Sequence, residues 1–223
     1  MARIVKEYDV RRNEILDVAQ QLFYQKGYEQ TAIQDILGAV GIAKGTFYHY
    51  FDSKEALLAA LVERMTEQVL QLVQPIVADP TLTACQKFEQ LFAQAHQWKI
   101  EHKAVLLQLL SAFYQAENLR LRHTLVMAGA AQIVPVWARI IAQGVQEGVF
   151  VTAFAQETAE IVFKTLQSLS EELAMLILHP PVDAVAILER KVLAYQQAIE
   201  RLLGAEPGAF RLLDIELTKR WLE

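Results

Sequence analysis

Apolar residues recur along almost the whole chain at steps of three and four, the period of one helix face. Ile15, Val18, Ala19, Leu22 and Phe23 form the first such stripe, and Gly27 follows where a helix-ending glycine belongs. This predicts a helix from about Val10 to Lys26. Ile33, Ile36, Leu37 and Val40 make the second stripe, over about 31–40, with Thr31 as cap and Gln34 as the reciprocal partner of a capping box. Gly41 lets the chain turn at once, and a third short helix spans about 43–50. Ile42 and Phe47 pack back onto the second helix, while Lys44, Gly45, Thr46, Tyr48 and His49 lie on faces a core does not need. Two short helices hinged at a glycine have the form of a helix-turn-helix, whose second helix enters the DNA major groove.

Asp52-Ser53-Lys54-Glu55 is the next start signal: a capping side chain, then an acid in the first turn. Leu57, Leu61, Met65, Val69, Leu72 and Ile76 continue the stripe, with no breaker before Pro75. A helix of that length runs about 35 Å. Pro75 and Asp79-Pro80 mark a boundary, beyond which no strand-like alternation occurs. Helices are expected near 83–101, 103–114, 118–146, 153–179, 182–203 and 210–221, with a kink at Pro135. In two of them the apolar period is 3.5, that of a coiled coil: Val162, Leu166, Leu169, Leu173 and Leu176, then Val185, Leu188, Val192, Tyr195, Ile199 and Leu202. Such helices pair with each other. With apolar flanks exposed they also meet their copies in a four-helix interface, and a homodimer is expected.

The expected fold class is all-α: a three-helix helix-turn-helix domain over 1–52 with an arm at 1–9, a connecting helix over 53–77, and a larger helical bundle over 78–223. Arg3, Lys6, Arg11 and Arg12 give the N-terminal stretch its cations. They read either as a solvated terminus or as contacts to phosphate or the minor groove.

Composition adds constraints. Net charge is −5, and residues 1–64 hold eight Lys/Arg against nine Asp/Glu. Any DNA affinity must therefore come from local placement and not from a general basic field. The single Cys85 cannot form an internal disulfide, which fits a reducing compartment; it reads as a packed thiol before a redox sensor. Residues 1–12 are polar, with no apolar stretch after them, so no signal peptide is expected. Leu125–Val145 is the best membrane-span candidate, but Gln132, Pro135, Arg139 and Gln143 interrupt it, and a buried bundle helix is the better reading. The expected setting is the cytoplasm, without a membrane partner. His96, His102, His123 and His179 place no two ligands on adjacent turns of one helix, so no metal is expected, and no cofactor.

The stretch over about residues 10–60 closely resembles the N-terminal DNA-binding domain of the TetR (tetracycline-repressor-like) family. The matching elements are Ile15–Phe23, Gly27-Tyr28, Thr31 with Ile36, Val40-Gly41-Ile42, the run Lys44-Gly45-Thr46-Phe47-Tyr48-His49-Tyr50-Phe51, and Lys54-Glu55-Ala56-Leu57. Glu147-Gly148-Val149-Phe150 is similar to a loop common before the dimerisation helices of such proteins. The resemblance implies a transcription regulator, usually a repressor, binding a double-stranded operator as a dimer. It also implies an all-helical C-terminal domain that takes a small-molecule effector. Carried over, Lys44, Gly45 and Thr46 face bases and backbone; Tyr48 and His49 contact phosphate or a thymine methyl; Thr31 and Lys54 lie at helix N-termini that touch phosphate. Tyr50 and Phe51 read more simply as core. For a largely apolar effector the pocket candidates are Phe92, His96, Trp98, Phe113, Tyr114, Met127, Trp137 and Phe163, each of which also reads as ordinary core packing.

Two other functions compete. An all-α enzyme needs a nucleophile–base or metal constellation, and none is visible. A helical adaptor binding protein through its N-terminal domain would lack the steep salt dependence that phosphate contacts impose.

Overall fold

The computed structural model describes residues 2–115 and 118–222, with side chains from Tyr8 onward. Arg3, Lys6 and the Glu117 break therefore lie outside the described side chains. Ten α-helices occur among the described residues: α1 (Ala2–Lys26), α2 (Ile33–Val40), α3 (Lys44–Tyr50), α4 (Lys54–Ala78), α5 (Ala84–Glu101), α6 (Lys103–Phe113), α7 (Leu119–Gln146), α8 (Ala155–Leu178), α9 (Ala184–Leu203) and α10 (Ile215–Lys219). The fold is all-α, as the apolar period requires. The chain forms two compact units. Unit 1 is residues 1–67 with 102–126, and unit 2 is residues 68–101 with 127–223. This division departs from boundaries at 52 and 77, because α6 packs on α1.

In unit 1, Ile15, Leu16, Ala19 and Phe23 of α1, Ile36 and Leu37 of α2, Phe47 of α3 and Leu57, Leu58 and Leu61 of α4 are buried. Three local expectations change. The arm is helical: no Pro or Gly interrupts Ala2–Lys26, so nothing stops α1 short of the N-terminus. Thr31 does not cap α2. It is fully buried, and its hydroxyl donates to the Gly27 carbonyl at 2.8 Å. Ala32 takes the cap position, and Asp35, not Gln34, reaches back to accept from the Ala32 N–H at 3.0 Å. In α4 the buried position after Met65 is Val73, while Leu72 is 42% exposed. A straight helix turns every 3.6 residues, so a 3.5 stripe drifts off the core within a few turns.

Unit 2 is built on rings. Phe88, Phe150 and Phe210 lie 5.8–6.0 Å apart by centroid, and Phe92, Trp137 and Phe163 extend the row. Helix α7 is long and apolar enough to cross a membrane, yet its Val134, Trp137, Ile140 and Ile141 are buried in this core. The heptad stripes join α8 to α9 of the same chain. Val162, Leu169, Leu176, Leu188, Val192 and Ile199 are buried there; Leu166 and Leu173 are partly buried; Tyr195 bonds to Ser168 and Glu172. Of the eleven stripe residues, only Val185 and Leu202 are exposed. A 3.5 stripe serves one neighbour, and the neighbour is internal. The outward apolar side chains of this pair include Ile161, Met175, Leu193 and Leu202.

The last helix is also shorter than the pattern suggests, five residues in place of twelve. The backbone of 208–212 is engaged elsewhere: Gln196 accepts from the Leu212 N–H and donates to the Phe210 carbonyl, and buried Glu200 accepts from the Gly208 N–H. Phe210 and Leu212 are thereby turned into the core.

One glycine is required by packing. A Cβ on Gly144 would sit 2.1 Å from Cδ2 of Phe150, whose ring lies against that turn of α7. Gly144→Ala should cost about 1–3 kcal/mol, as overpacked cores do, lowering Tm by roughly 2–10 °C. Adding Phe150→Ala removes the obstruction, so the double variant should melt no lower than Phe150→Ala alone. An unchanged Tm for Gly144→Ala would show that the ring is not seated there.

Candidate nucleic-acid interface

The turn between α2 and α3 is made by Gly41 at φ 75°, whose N–H and that of Ile42 both donate to the Leu37 carbonyl. A side chain there would be strained, because L-residues avoid the left-handed region. Helix α3 has seven residues, and fully buried Phe47 is its anchor, with Phe51 4% exposed just beyond. The rings of Phe47 and Phe51 are 5.9 Å apart, and the Arg12 guanidinium lies 5.4 Å over Phe51. Burying one face of so short a helix presents the other to solvent. Lys44, Gly45, Tyr48 and His49 are exposed and Thr46 is half-buried. The Lys44 ammonium lies 5.9 Å over the Tyr48 ring, one turn away. A Cβ on Gly45 would meet nothing within 4 Å, so that point of α3 is open to a close-approaching backbone.

Helix α4 begins where expected, at Lys54, with Ser53 Oγ accepting from the Ala56 N–H. Lys54 is more than a terminal charge. Its ammonium lies 4.2 Å over the buried Tyr28 ring and 3.4 Å from the Glu29 carbonyl. Burial and the charges of Glu55 and Glu29 push the Tyr28 phenol up, so it stays neutral. Arg64 ties α4 to α1, donating to Asp17 and Gln20 at 2.6 Å each. Thr31 leaves the surface set, since a fully buried hydroxyl offers nothing to a phosphate. Unit 1 carries eleven Lys/Arg and eleven Asp/Glu, a net of zero, so the whole −5 falls on unit 2.

The sequence reading missed Tyr8. Its ring lies 5.7 Å from His49 and 4.6 Å from Tyr50. The signal was present: Tyr8, Arg12, Ile15 and Ala19 continue one α1 stripe at helical spacing.

The sequence profile of bacterial regulatory proteins of the tetR family matches residues 15–61. The HTH-type transcriptional repressor KstR2 of Rhodococcus jostii is 30% identical over 145 residues, 63% of this chain and 68% of that protein. The chain belongs to the tetR family. KstR2 of Mycobacterium tuberculosis is 28% identical over 154 residues, 67% of this chain and 74% of that protein. The fold matches a TetR-family regulator from Pectobacterium atrosepticum at TM-score 0.64 and 22% identity, over 89% of this chain and 96% of that one. The protein is thus a helix-turn-helix transcriptional regulator, from a family of regulators and not of enzymes.

The eight pocket candidates are divided between the two units. Phe113 and Tyr114 belong to unit 1, and the others to unit 2. Phe92, Trp137 and Phe163 contact one another as core, and Met127 is 54% exposed. Trp98 is half-buried. A cleft of about 160 Å³ in unit 2 is lined by Gln74, Val77, Ala78, Arg139, Ile140 and Gln143, none of them a candidate. No cluster of metal-ligating side chains occurs among the described residues.

His96 is 8% exposed, and its Nε2 has no partner. Burial, and then the charge of Lys99, lower its pKa to about 4; Asp214 and the Leu217 backbone oppose this too weakly to offset it. Unfolded, the ring titrates near 6.5. Between those values only the unfolded chain takes the proton, so stability is full above 6.5 and falls as pH drops toward 4. The loss reaches up to about 3 kcal/mol. His96→Gln should flatten this slope relative to wild type in pH-dependent denaturation. An identical slope would mean that His96 is not held neutral.

Proposed function

We propose that the regulator is a homodimeric repressor of the cytoplasm that binds a palindromic operator and is released by a small, largely apolar molecule. The observation that carries this reading is the exposed face of α3, with Lys44, Gly45, Tyr48 and His49 presented by a buried Phe47. Such a face suits the major groove: a cation for phosphate, an open backbone, an aromatic ring for a thymine methyl, and an imidazole for base edges. Two copies reading two half-sites explain why so small a surface suffices. The outward Ile161, Met175, Leu193 and Leu202 of α8 and α9 are the contacts proposed for the second copy.

The effector is read from the chemistry of unit 2. Its ring-rich core suits an apolar guest, but Phe92, Trp137 and Phe163 already fill one another's space. The guest therefore binds a minor conformation in which they part, and that conformation must hold DNA less well. Helix α4 supplies residues to both units and is the element such a shift would move. Half-sites lie about 34 Å apart, so a small respacing of two reading heads misaligns one of them.

Selection of bound sequences from a random duplex pool tests this directly. A palindrome is the expected product, and an unenriched pool would overturn the reading. Against the selected operator, Tyr48→Ala should weaken binding by about 1–3 kcal/mol and relax preference at one position, with little change in Tm. Lys54→Ala should weaken binding to all sequences alike and lower the salt slope by about one. It should also lower Tm, because the ammonium leaves the Tyr28 ring. A Lys54→Ala loss confined to one sequence would contradict a phosphate role.

A further inference from the structure

Tyr8 lies outside the residues that match the family, on the first turns of α1, and touches no part of α2 among its ring contacts. What it touches is the last turn of α3. Its ring meets His49 edge to face, 5.7 Å between centroids at 82°, and lies tilted on Tyr50 at 4.6 Å and 36°. His49 and Tyr50 are themselves 5.2 Å apart at 79°. Three rings therefore contact one another pairwise, and they differ in exposure. Tyr50 is half-buried, Tyr8 is 37% exposed, and His49 is exposed. A lone exposed histidine on a helix samples several rotamers. Two rings in T-shaped contact, Tyr8 at 5.7 Å and Tyr50 at 5.2 Å, narrow the rotamers open to His49.

We propose that Tyr8 is a positioning residue for sequence recognition: it fixes the His49 imidazole and so sets base preference at the operator position which His49 faces. This rests on the reading of α3 as the recognition helix. The physical basis is pre-organisation. A side chain already ordered before binding loses less freedom on the DNA, and a side chain with one orientation offers one donor–acceptor pattern to the base edge. The Tyr8 hydroxyl is not needed, because the contacts are ring to ring. Phenylalanine should therefore serve and alanine should not. Aromatic pairs of this geometry correspond to a twofold to tenfold effect, roughly, on a binding constant.

The test compares wild type, Tyr8→Ala, Tyr8→Phe, His49→Ala and the Tyr8→Ala/His49→Ala double variant, all as full chains. Free protein is read first by NMR. The His49 ring protons should carry a ring-current shift that Tyr8→Ala removes and Tyr8→Phe keeps. Sequence selection from a random duplex pool is read second. Tyr8→Ala should flatten preference at the same position that His49→Ala flattens, with about a threefold to tenfold loss on the wild-type operator. Tyr8→Phe should restore both, and the double variant should bind no worse than His49→Ala alone. A wild type that enriches no sequence overturns the reading of α3 as the recognition helix, and this proposal with it. A wild type that enriches an operator, beside a Tyr8→Ala that loses affinity evenly with every base preference intact, overturns this proposal alone. So does a ring-current shift that survives Tyr8→Ala. Should Tyr8→Ala fail to fold, Tyr8→Leu carries the same comparison, since it keeps apolar packing and removes the ring.

Discussion

A seven-residue helix does not hold itself together in water, because nucleation fixes several residues before any hydrogen bond is repaid. Helix α3 is that short, and it carries the face proposed for DNA. Its persistence depends on burial of one ring. Phe47 is fully buried, and the Phe51 ring, itself 4% exposed, lies 5.9 Å from it. The turn before α3 needs the left-handed conformation of Gly41, and the helix after it needs the Ser53 cap. All other features of the reading face are consequences. Lys44, Gly45, Tyr48 and His49 point outward because a helix with one buried position per two turns has no other use for them.

Unit 2 solves a different problem, fastening a long chain end. The segment after α9 has little helix of its own, and side chains hold its backbone: Gln196 and Glu200 from α9, and Glu89 from α5, which accepts from the Arg211 N–H at 2.9 Å. Glu200 is 4% exposed, and its Oε1 accepts from both the Gln196 amide and the Gly208 N–H, the bonding that a buried carboxyl group needs. Beside this segment Glu147 accepts from the Ala84 N–H and caps α5, while the loop it opens brings Phe150 back onto Gly144 and against Phe210. The run Glu147-Gly148-Val149-Phe150 is thus a structural joint: one residue caps, one turns at φ 75°, and one fills.

Helices were legible wherever a stripe faced one core, as in α1, α2, α5 and α7, because burial on one side writes a 3.6 period directly into the sequence. What the period does not encode is the partner. The α8 and α9 stripes suited a second copy as well as each other, and chain connectivity brought them to each other first. Thr31 looked like a cap because its residue type and spacing suited one; whether its hydroxyl reaches a helix N–H or the Gly27 carbonyl depends on a turn that no local pattern specifies. Residues 210–214 carry apolar side chains at helical spacing, yet their backbone answers to Gln196, fourteen residues away in sequence from Phe210. Along α3 the exposed set followed from the demands of Phe47, while Tyr8 was lost because the first stripe was begun at about Val10 and the residues before it were read as an arm.

Charge then decides how this surface can work. With unit 1 neutral and unit 2 at −5, no long-range field draws the chain to DNA. The cations near the face are few, and three rest over rings: Arg12 over Phe51, Lys44 over Tyr48 and Lys54 over Tyr28. Cations resting on rings lose little of their attraction for phosphate, since the ring is a weak partner compared with an anion. They are held in place without being neutralised. A regulator built this way gains little from non-specific electrostatics, so a larger share of its discrimination must come from shape and base contacts. That raises the value of fixing each reading side chain before DNA arrives, and it is the condition under which an aromatic clasp on His49 matters.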